Sequence, residues 1–233
     1  FDLCRDSLEV CQARARVWHH QGGMLMPEAM YLAGVSVFGK KIPQHLIYHR
    51  TGMVEMANMM GDYVAHTGDR EFARTVWRAF AEAVVQFFVE HYPERDARGH
   101  MVMSPAGVVE TYQPVTNPVT ETAGLARLLE QLMDMDGDAR WKELHKIIPA
   151  PPSRVIQGQR LLAVADEAPA GREICEVPEL YAVWPFRRSV PLAAARQSFA
   201  VRMTSLDGTD DKQAFETGGW LYTAACAAWL IGR

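Results

Sequence analysis

The fold is indicated by a turn signal that occurs twice, first as His66-Thr67-Gly68-Asp69-Arg70-Glu71-Phe72. Glycine ends a helix because it adopts the left-handed conformation without a steric penalty, and the aspartate after it caps the next helix. The signal returns as Asp136-Gly137-Asp138-Ala139-Arg140-Trp141, so the two Gly-Asp pairs lie 69 residues apart (137 − 68). Each copy ends on an aromatic residue that begins the next buried face. The repeat predicts an array of αα-hairpins.

Apolar residues recur at helical spacing along most of the chain. We expect helices over about 3–19, 45–66, 70–91 and 213–231, and one from Asn117 and Pro118 to Gly137 with Asn117 as its N-cap. Proline and glycine between 147 and 175 exclude a long helix there, and the short runs 154–156 and 161–164 predict a small hairpin. The expected fold is all-α, with a short β or irregular excursion near 150–175.

Composition excludes several classes of protein. A chain of 233 residues suits one domain, or a large piece of one, and the net charge of -4 provides no basic face for nucleic acid. The apolar stretch 221–231 is too short to span a membrane. The chain opens on Phe1, so we expect residues 1–233 to be a single helical domain within a longer chain, secreted or periplasmic if that chain carries a signal peptide.

Motifs for cofactors and metals are missing from the sequence. His45 and His49 are spaced i,i+4, but no carboxylate-bearing metalloprotease pattern accompanies them. Neither a glycine-rich phosphate loop nor a Gly-x-Ser-x-Gly elbow is present. We therefore expect no cofactor and no metal, and the sequence leaves the oligomeric state open.

Glu110 is the first candidate for catalysis. It lies in the stretch 103–112, which is rich in proline, glycine and aromatic residues and runs into the helix expected after Asn117. Carboxylic acids held beside a sugar by aromatic residues carry out glycoside hydrolysis. Glu110 as a solvated loop residue is the alternative.

A second cluster follows at 176–186. It contains Glu176, Glu179, Tyr181 and Trp184 within one or two helical turns. Aromatic faces stack on the apolar face of sugar rings while carboxylates accept hydrogen bonds from hydroxyls, so the cluster suits a carbohydrate cleft. A short capped helix with buried aromatic residues is the equally favoured alternative.

The motifs 61–72 and 99–105 resemble the six-hairpin glycosidases, whose best-known members are the α-L-fucosidases of glycoside hydrolase family 95. Glu110-Thr111-Tyr112, Asn117-Pro118 and the run 178–185 are similar to an uncharacterised bacterial branch of that superfamily. The resemblance covers roughly residues 20–231 and implies an (α/α)6 toroid, partial or complete, with its active site at one mouth. In that family the catalytic Glu shortly follows Ser-Pro. Here Ala106 follows Ser104-Pro105, and Glu110 is the nearest acid.

The sequence therefore predicts a carbohydrate-active hydrolase that cleaves O-glycosidic bonds, by an inverting mechanism as the resemblance implies. Glu110 is the expected general acid, and Glu179 or Glu176 the base or a hydroxyl-binding group. The residues expected to bind an oligosaccharide or glycoside are Glu28, Tyr112, Asn117, Tyr181, Trp184 and Trp220. Two alternatives remain: a non-catalytic helical module that binds glycan or protein, and a sugar lyase or epimerase that uses Tyr or His as its base.

Overall fold

The computed structural model describes residues 1–38, 41–110, 112–169, 177–206 and 229–232. Its α-helices and β-strands, in chain order, are α1 (Asp2–His19), α2 (Thr51–Thr67), α3 (Arg70–Phe72), α4 (Arg78–His91), β1 (Ala106–Val108), β2 (Tyr112–Pro118), α5 (Val119–Asp136), α6 (Ala139–Ile147), β3 (Ser153–Ile156), β4 (Gln159–Leu162), β5 (Ala165–Glu167) and α7 (Leu192–Leu206). A π-helical turn, Ala73–Trp77, joins α3 to α4.

The two predicted helical hairpins are confirmed. Gly68 and Gly137 end α2 and α5 in the left-handed conformation, with φ of 69° and 67°. Asp69 Oδ1 accepts a hydrogen bond from the backbone N–H of Phe72, and Asp138 Oδ1 accepts one from Arg140, each at 2.9 Å. Side-chain caps of this kind satisfy N–H groups that have no partner inside the helix.

Helices α2 and α5 pack side by side and run in the same direction. Asn58 in α2 donates from Nδ2 to the carbonyl of Gly124 at 3.0 Å, and Gln131 in α5 donates from Nε2 to Asp62 at 3.0 Å. Later residues of one helix thus meet later residues of the other. A Cβ on Gly124 would lie only 2.3 Å from Val54 Cγ1, so glycine is what permits this close approach.

The expectation of an all-α fold, and with it an all-α toroid, is wrong. About 53% of the described residues are helical and 13% are in strands, which form two small antiparallel sheets in a mixed α/β fold. One sheet has the strand order β1-β2-β5, and the other pairs β3 with β4. The first sheet forms because the residues around Glu110 make a hairpin, and every third residue of its second strand, Tyr112, Val115 and Pro118, is buried.

The predicted start of α5 is also wrong. Pro118 is the last residue of β2 and pairs with Ala165 of β5, and the helix begins at Val119. Asn117 is a strand residue with a φ of 51°. Its side chain bridges the sheet, because Oδ1 accepts from the backbone N–H of Met103 and Nδ2 donates to Asp166, both at 2.8 Å. These bonds hold Asn117 in a conformation that few residues other than glycine adopt.

The remaining predicted elements are confirmed only in part. The hairpin expected near 154–164 is confirmed as β3 and β4, with Val155 opposite Arg160. Helix α7 was not predicted, and most of the helix expected over 213–231 lies outside the described residues. No helix in the described ranges combines the length and the apolarity that crossing a membrane would need.

The segment between α1 and α2 is irregular and lies over the hairpins, and the helix expected from about residue 45 begins only at Thr51. The backbone N–H of Met24 donates to the carbonyl of Ala83 in α4, and that of Leu25 donates to Cys11 in α1, each at 3.0 Å. The segment is thereby held between α1 and α4, and its continuation reaches the start of α2. This course places Glu28, His49 and Arg50 around one cavity.

Candidate functional site

A cavity of about 180 Å³ lies between α1 and the segment that leads into α2. We call it the His49 pocket, and its polar lining comes from Arg14, His19, Glu28, Ser36, His49 and Arg50. Apolar side chains such as Leu25, Leu46 and Ile47 form much of the rest of the wall, and Trp18 completes the lining. Concave sites with apolar walls and a few converging polar groups are typical of small-molecule binding.

Glu28 and His49 form an ion pair in this pocket. The His49 Nδ1 atom lies 2.6 Å from Glu28 Oε2, and the two side chains expose 9% and 29% of their surface. Burial lowers the pKa of His49, but the hydrogen bond and charge of Glu28, with the charges of Glu121 and Glu55, outweigh burial and leave the pKa raised. Glu28 is therefore the more accessible member of a coupled acid–base pair.

Glu121 lies buried behind the pair, with 1% of its surface exposed. Burial raises the pKa of its carboxyl to about 7, against the opposing effects of Thr120, the charge of His49 and Thr51. Thr51 and Thr120 donate their hydroxyl hydrogens to its two oxygens. A carboxyl group that changes protonation near neutrality can store a proton beside His49.

Arg50 is the buried cation of the pocket, with 8% of its surface exposed. Its Nη1 atom donates to the carbonyl of His49 at 2.9 Å, while its Nε atom is buried without a partner. Burial lowers the pKa of His19 and of His91, and the positive charge of Arg50 lowers both further. The pKa of His91 falls to about 4. His19 and His91 are therefore neutral at pH 7. Burial lowers the pKa of Arg50 as well, but a guanidinium stays protonated in proteins, so Arg50 remains charged.

Glu110 stands on the exposed turn between β1 and β2, outside the lining of the His49 pocket. Gln113 links this turn to the pocket, because its Nε2 donates to the carbonyl of Glu110 and its Oε1 accepts from the backbone N–H of Tyr48, each at 3.4 Å. A Cβ on Gly107 of β1 would also lie 3.2 Å from the Tyr48 carbonyl. The β1–β2 hairpin therefore lies against the residue that precedes His49.

Two other predicted residues, Glu179 and Tyr112, meet in a different cavity, also of about 180 Å³. Tyr112, like Tyr181, is largely buried in the core, and Trp184 packs against a smaller apolar cluster around Leu180. Tyr112 and Tyr181 therefore expose little ring surface for sugar stacking. Of the other predicted residues, Asn117 holds the sheet, and Glu176 and Trp220 lie outside the described residues.

A larger cavity, of about 550 Å³, lies elsewhere in the described part of the chain. It runs along α2, the π-helical turn and α5 towards Gly68 and Asp136, and none of the predicted site residues lines it. We place the candidate site at the smaller His49 pocket because the acid–base pair and the buried ionisable groups converge there.

The sequence predicted Glu28 as a substrate-binding residue and no role for Arg50 or Glu121. A signal for Glu121 was present, since it precedes Leu125, Leu128 and Leu132 at helical spacing and so falls on the buried stripe of α5. A carboxylate at such a position is rarely buried without a partner or a function. Arg50 carried no comparable signal, because only the folded chain shows that it is enclosed.

The chain matches no protein-family model and no curated protein.

Proposed function

We propose that this chain is a carbohydrate-active hydrolase domain that cleaves O-glycosidic bonds, with Glu28 as one of its two working carboxylates. The observation that carries the proposal is the ion pair between Glu28 and His49, 2.6 Å apart, in a cavity beside the buried carboxyl of Glu121. General acid–base catalysis works best when the proton-transferring groups change protonation near the working pH.

The chemistry divides between two carboxylates. A hydrolase of this kind uses one carboxylic acid to protonate the leaving oxygen and one carboxylate to activate water or attack the sugar. Glu28, which pairs with His49 in the pocket, is the proposed carboxylate for the second role. Glu110 is the proposed acid, because Gln113 links its exposed turn to Tyr48, the residue before His49.

The sugar class is supported by the size and lining of the pocket. At about 180 Å³ it is smaller than pockets for drug-sized ligands, which are about 300–1,000 Å³, so it suits a single sugar ring. Trp18 lines it and is 38% exposed, which leaves aromatic surface for stacking. The motif resemblance to six-hairpin glycosidases points to the same substrates.

The test is hydrolysis of a panel of natural disaccharides and of aryl glycosides with an acidic leaving group. Loss of general catalysis typically costs about 10²–10⁴-fold in rate. We expect Glu28→Gln to lower the rate of hydrolysis by that factor on both the disaccharides and the aryl glycosides. Glu110→Gln should lower it mainly on the disaccharides, because their leaving group needs protonation. Glu143→Gln, an exposed carboxylate paired with Lys146, is the matched control. Unchanged hydrolysis by Glu28→Gln would refute the assignment.

A sugar lyase is the second candidate, favoured by one observation. The described lining of the pocket contains a single carboxylate, with an imidazole and a buried guanidinium beside it. A His49 base and an Arg50 cation would suit removal of a proton next to a sugar carboxylate. An unsaturated product, detected by its ultraviolet absorbance, would identify this reaction, whereas a hydrolase produces two saturated sugars.

A further inference from the structure

We infer that the His49 pocket binds the sugar through an anionic substituent, a carboxylate, that pairs with Arg50. The inference rests on the proposed function, because it places that carboxylate on the monosaccharide unit that enters the pocket. It adds a substrate class, acidic sugars, and a residue that selects it.

The first support is that Arg50 has no carboxylate partner within salt-bridge distance among the described residues. Buried cations are normally paired, because the cost of removing a charge from water is recovered only through a close opposite charge. Arg50 has instead a bond to the neighbouring carbonyl of His49, a contact with the ring of Phe87 at 5.9 Å, and an Nε atom without a partner. An anion in the pocket would supply the missing charge.

The nearby carboxylates do not fill this role. Glu28 is engaged by His49 at 2.6 Å, and Glu121 is held by Thr51 and Thr120. Glu121 acts on Arg50 through its charge alone, without a hydrogen bond between them. The cation therefore sits next to two acids whose hydrogen bonds are directed at other groups.

The remaining charges of the pocket favour an anion as well. Arg14 lines the same cavity, with its guanidinium stacked 4.1 Å from the Trp18 ring. His19 lines it as a neutral donor or acceptor. Two arginines thus outweigh the carboxylate of Glu28, which His49 already balances. The planar guanidinium suits carboxylate, because it can donate two parallel hydrogen bonds to the two oxygens.

The ligand chemistry has two possible sources, a sugar carboxylate or a free oxyanion, and binding measurements on the chain separate them. The probes are D-glucuronate and D-galacturonate, the neutral sugars glucose and galactose, and inorganic sulfate, each measured by isothermal titration calorimetry. We expect a uronate to bind at least about tenfold more tightly than its neutral counterpart, as one good charge-assisted bond predicts. Raised salt should reduce this preference.

Arg50→Gln should abolish the preference, while Arg140→Gln, whose arginine stacks on Trp141 outside the pocket, should keep it. Arg50→Lys keeps the charge without the planar fork and should retain only part of the preference. If Arg50→Gln does not fold, the ratio of uronate to neutral affinity in the unmodified chain still decides. Equal affinity for acid and neutral sugars would overturn the inference, and so would sulfate binding without uronate binding.

Hydrolysis separates this inference from the proposed function. Cleavage of neutral glycosides but not of uronides would overturn the acidic-sugar inference and leave the hydrolase proposal standing. Selective uronate binding without cleavage of any glycoside would support the Arg50 site and reject the hydrolase.

Discussion

Thr51 and Glu121 lie in the first turns of α2 and α5, seventy residues apart, and share a buried hydrogen bond of 3.0 Å. Because the two helices are parallel, both of their N-termini are at the end where this carboxyl lies. Helix N-termini favour negative charge. Burial nevertheless dominates, and the carboxyl keeps its proton up to a pH near 7.

This balance predicts how stability depends on pH. The pKa of Glu121 rises from the ordinary 4.5 to about 7 on folding. Between these values the unfolded chain has lost the proton and the folded chain retains it, so stability falls as pH rises through this window. A shift of that size corresponds to about 3 kcal/mol. Chemical denaturation from pH 4 to 8 should show this. As pH rises, the free energy of unfolding of Glu121→Gln should increase by about that much relative to that of the unmodified chain.

The matched control for that experiment is Glu143→Gln, whose carboxylate is exposed. It should follow the unmodified chain at every pH. A constant difference between Glu121→Gln and the unmodified chain from pH 4 to 8 would show that the Glu121 pKa is not raised.

His91 predicts the opposite dependence. Its pKa falls from 6.5 to about 4 on folding, because of burial and the charges of Arg50 and His19. Between pH 6.5 and 4 the His91 imidazole is protonated in the unfolded chain but not in the folded chain. This residue therefore lowers stability as pH falls towards 4. Because His91 is partly solvated, the loss should be about 2 kcal/mol rather than the full value of the shift. His91→Gln should remove this acid-side component, and NMR titration of the imidazole should show the lowered pKa directly.

The contact between α2 and α5 predicts the effect of a single methyl group. In Gly124→Ala the new Cβ would lie 2.3 Å from Val54 and 2.8 Å from the ring of Phe186. Overpacking of this kind costs about 1–3 kcal/mol. Gly52→Ala is the matched control, since its Cβ would meet only Met26, at 3.6 Å, and helix propensity should then stabilise it by about 0.5–1 kcal/mol. If the melting temperatures of both variants shifted in the same direction from that of the unmodified chain, the packing argument would be contradicted.

Asn117 predicts a contrast between two substitutions. Both Asn117→Gly and Asn117→Ala lose the side-chain bonds to Met103 and Asp166. Glycine accepts the φ of 51° at no cost, whereas alanine adds about 1–2 kcal/mol of left-handed strain. Asn117→Ala should therefore be the less stable of the two by about that amount in urea denaturation. Equal stability would mean that the backbone relaxes away from this conformation.

The helical hairpins were predictable because their signals are local. Glycine and aspartate at 68–69 and 137–138 specify their turns whatever surrounds them. The β1–β2 hairpin was not predicted, because its strands are short, contain proline, and are stabilised by burial against helices distant in sequence. The Asn117-Pro118 pair reads as a helix start, and only the pairing of Pro118 with Ala165 shows that it ends a strand.

The candidate site was partly predictable for the same reason. Glu28 is among the residues expected to bind substrate, but its partner His49 is brought to it by the fold. Glu110 and Glu179 stand out in the sequence as carboxylates among aromatic residues. The structure places Glu179 in a separate cavity with Tyr112, whose walls include residues of β4 and α7.

The parallel course of α2 and α5 gives the molecule two ends with different tolerance to engineering. His49, Arg50 and Asn117 precede these helices, whereas Gly68 and Gly137 follow them at the opposite end, where an added Cβ meets nothing within 4 Å. Exposed turns of this kind accept inserted peptides. A fluorophore or an affinity tag inserted at either turn would lie on the far side of the molecule and would not enter the pocket.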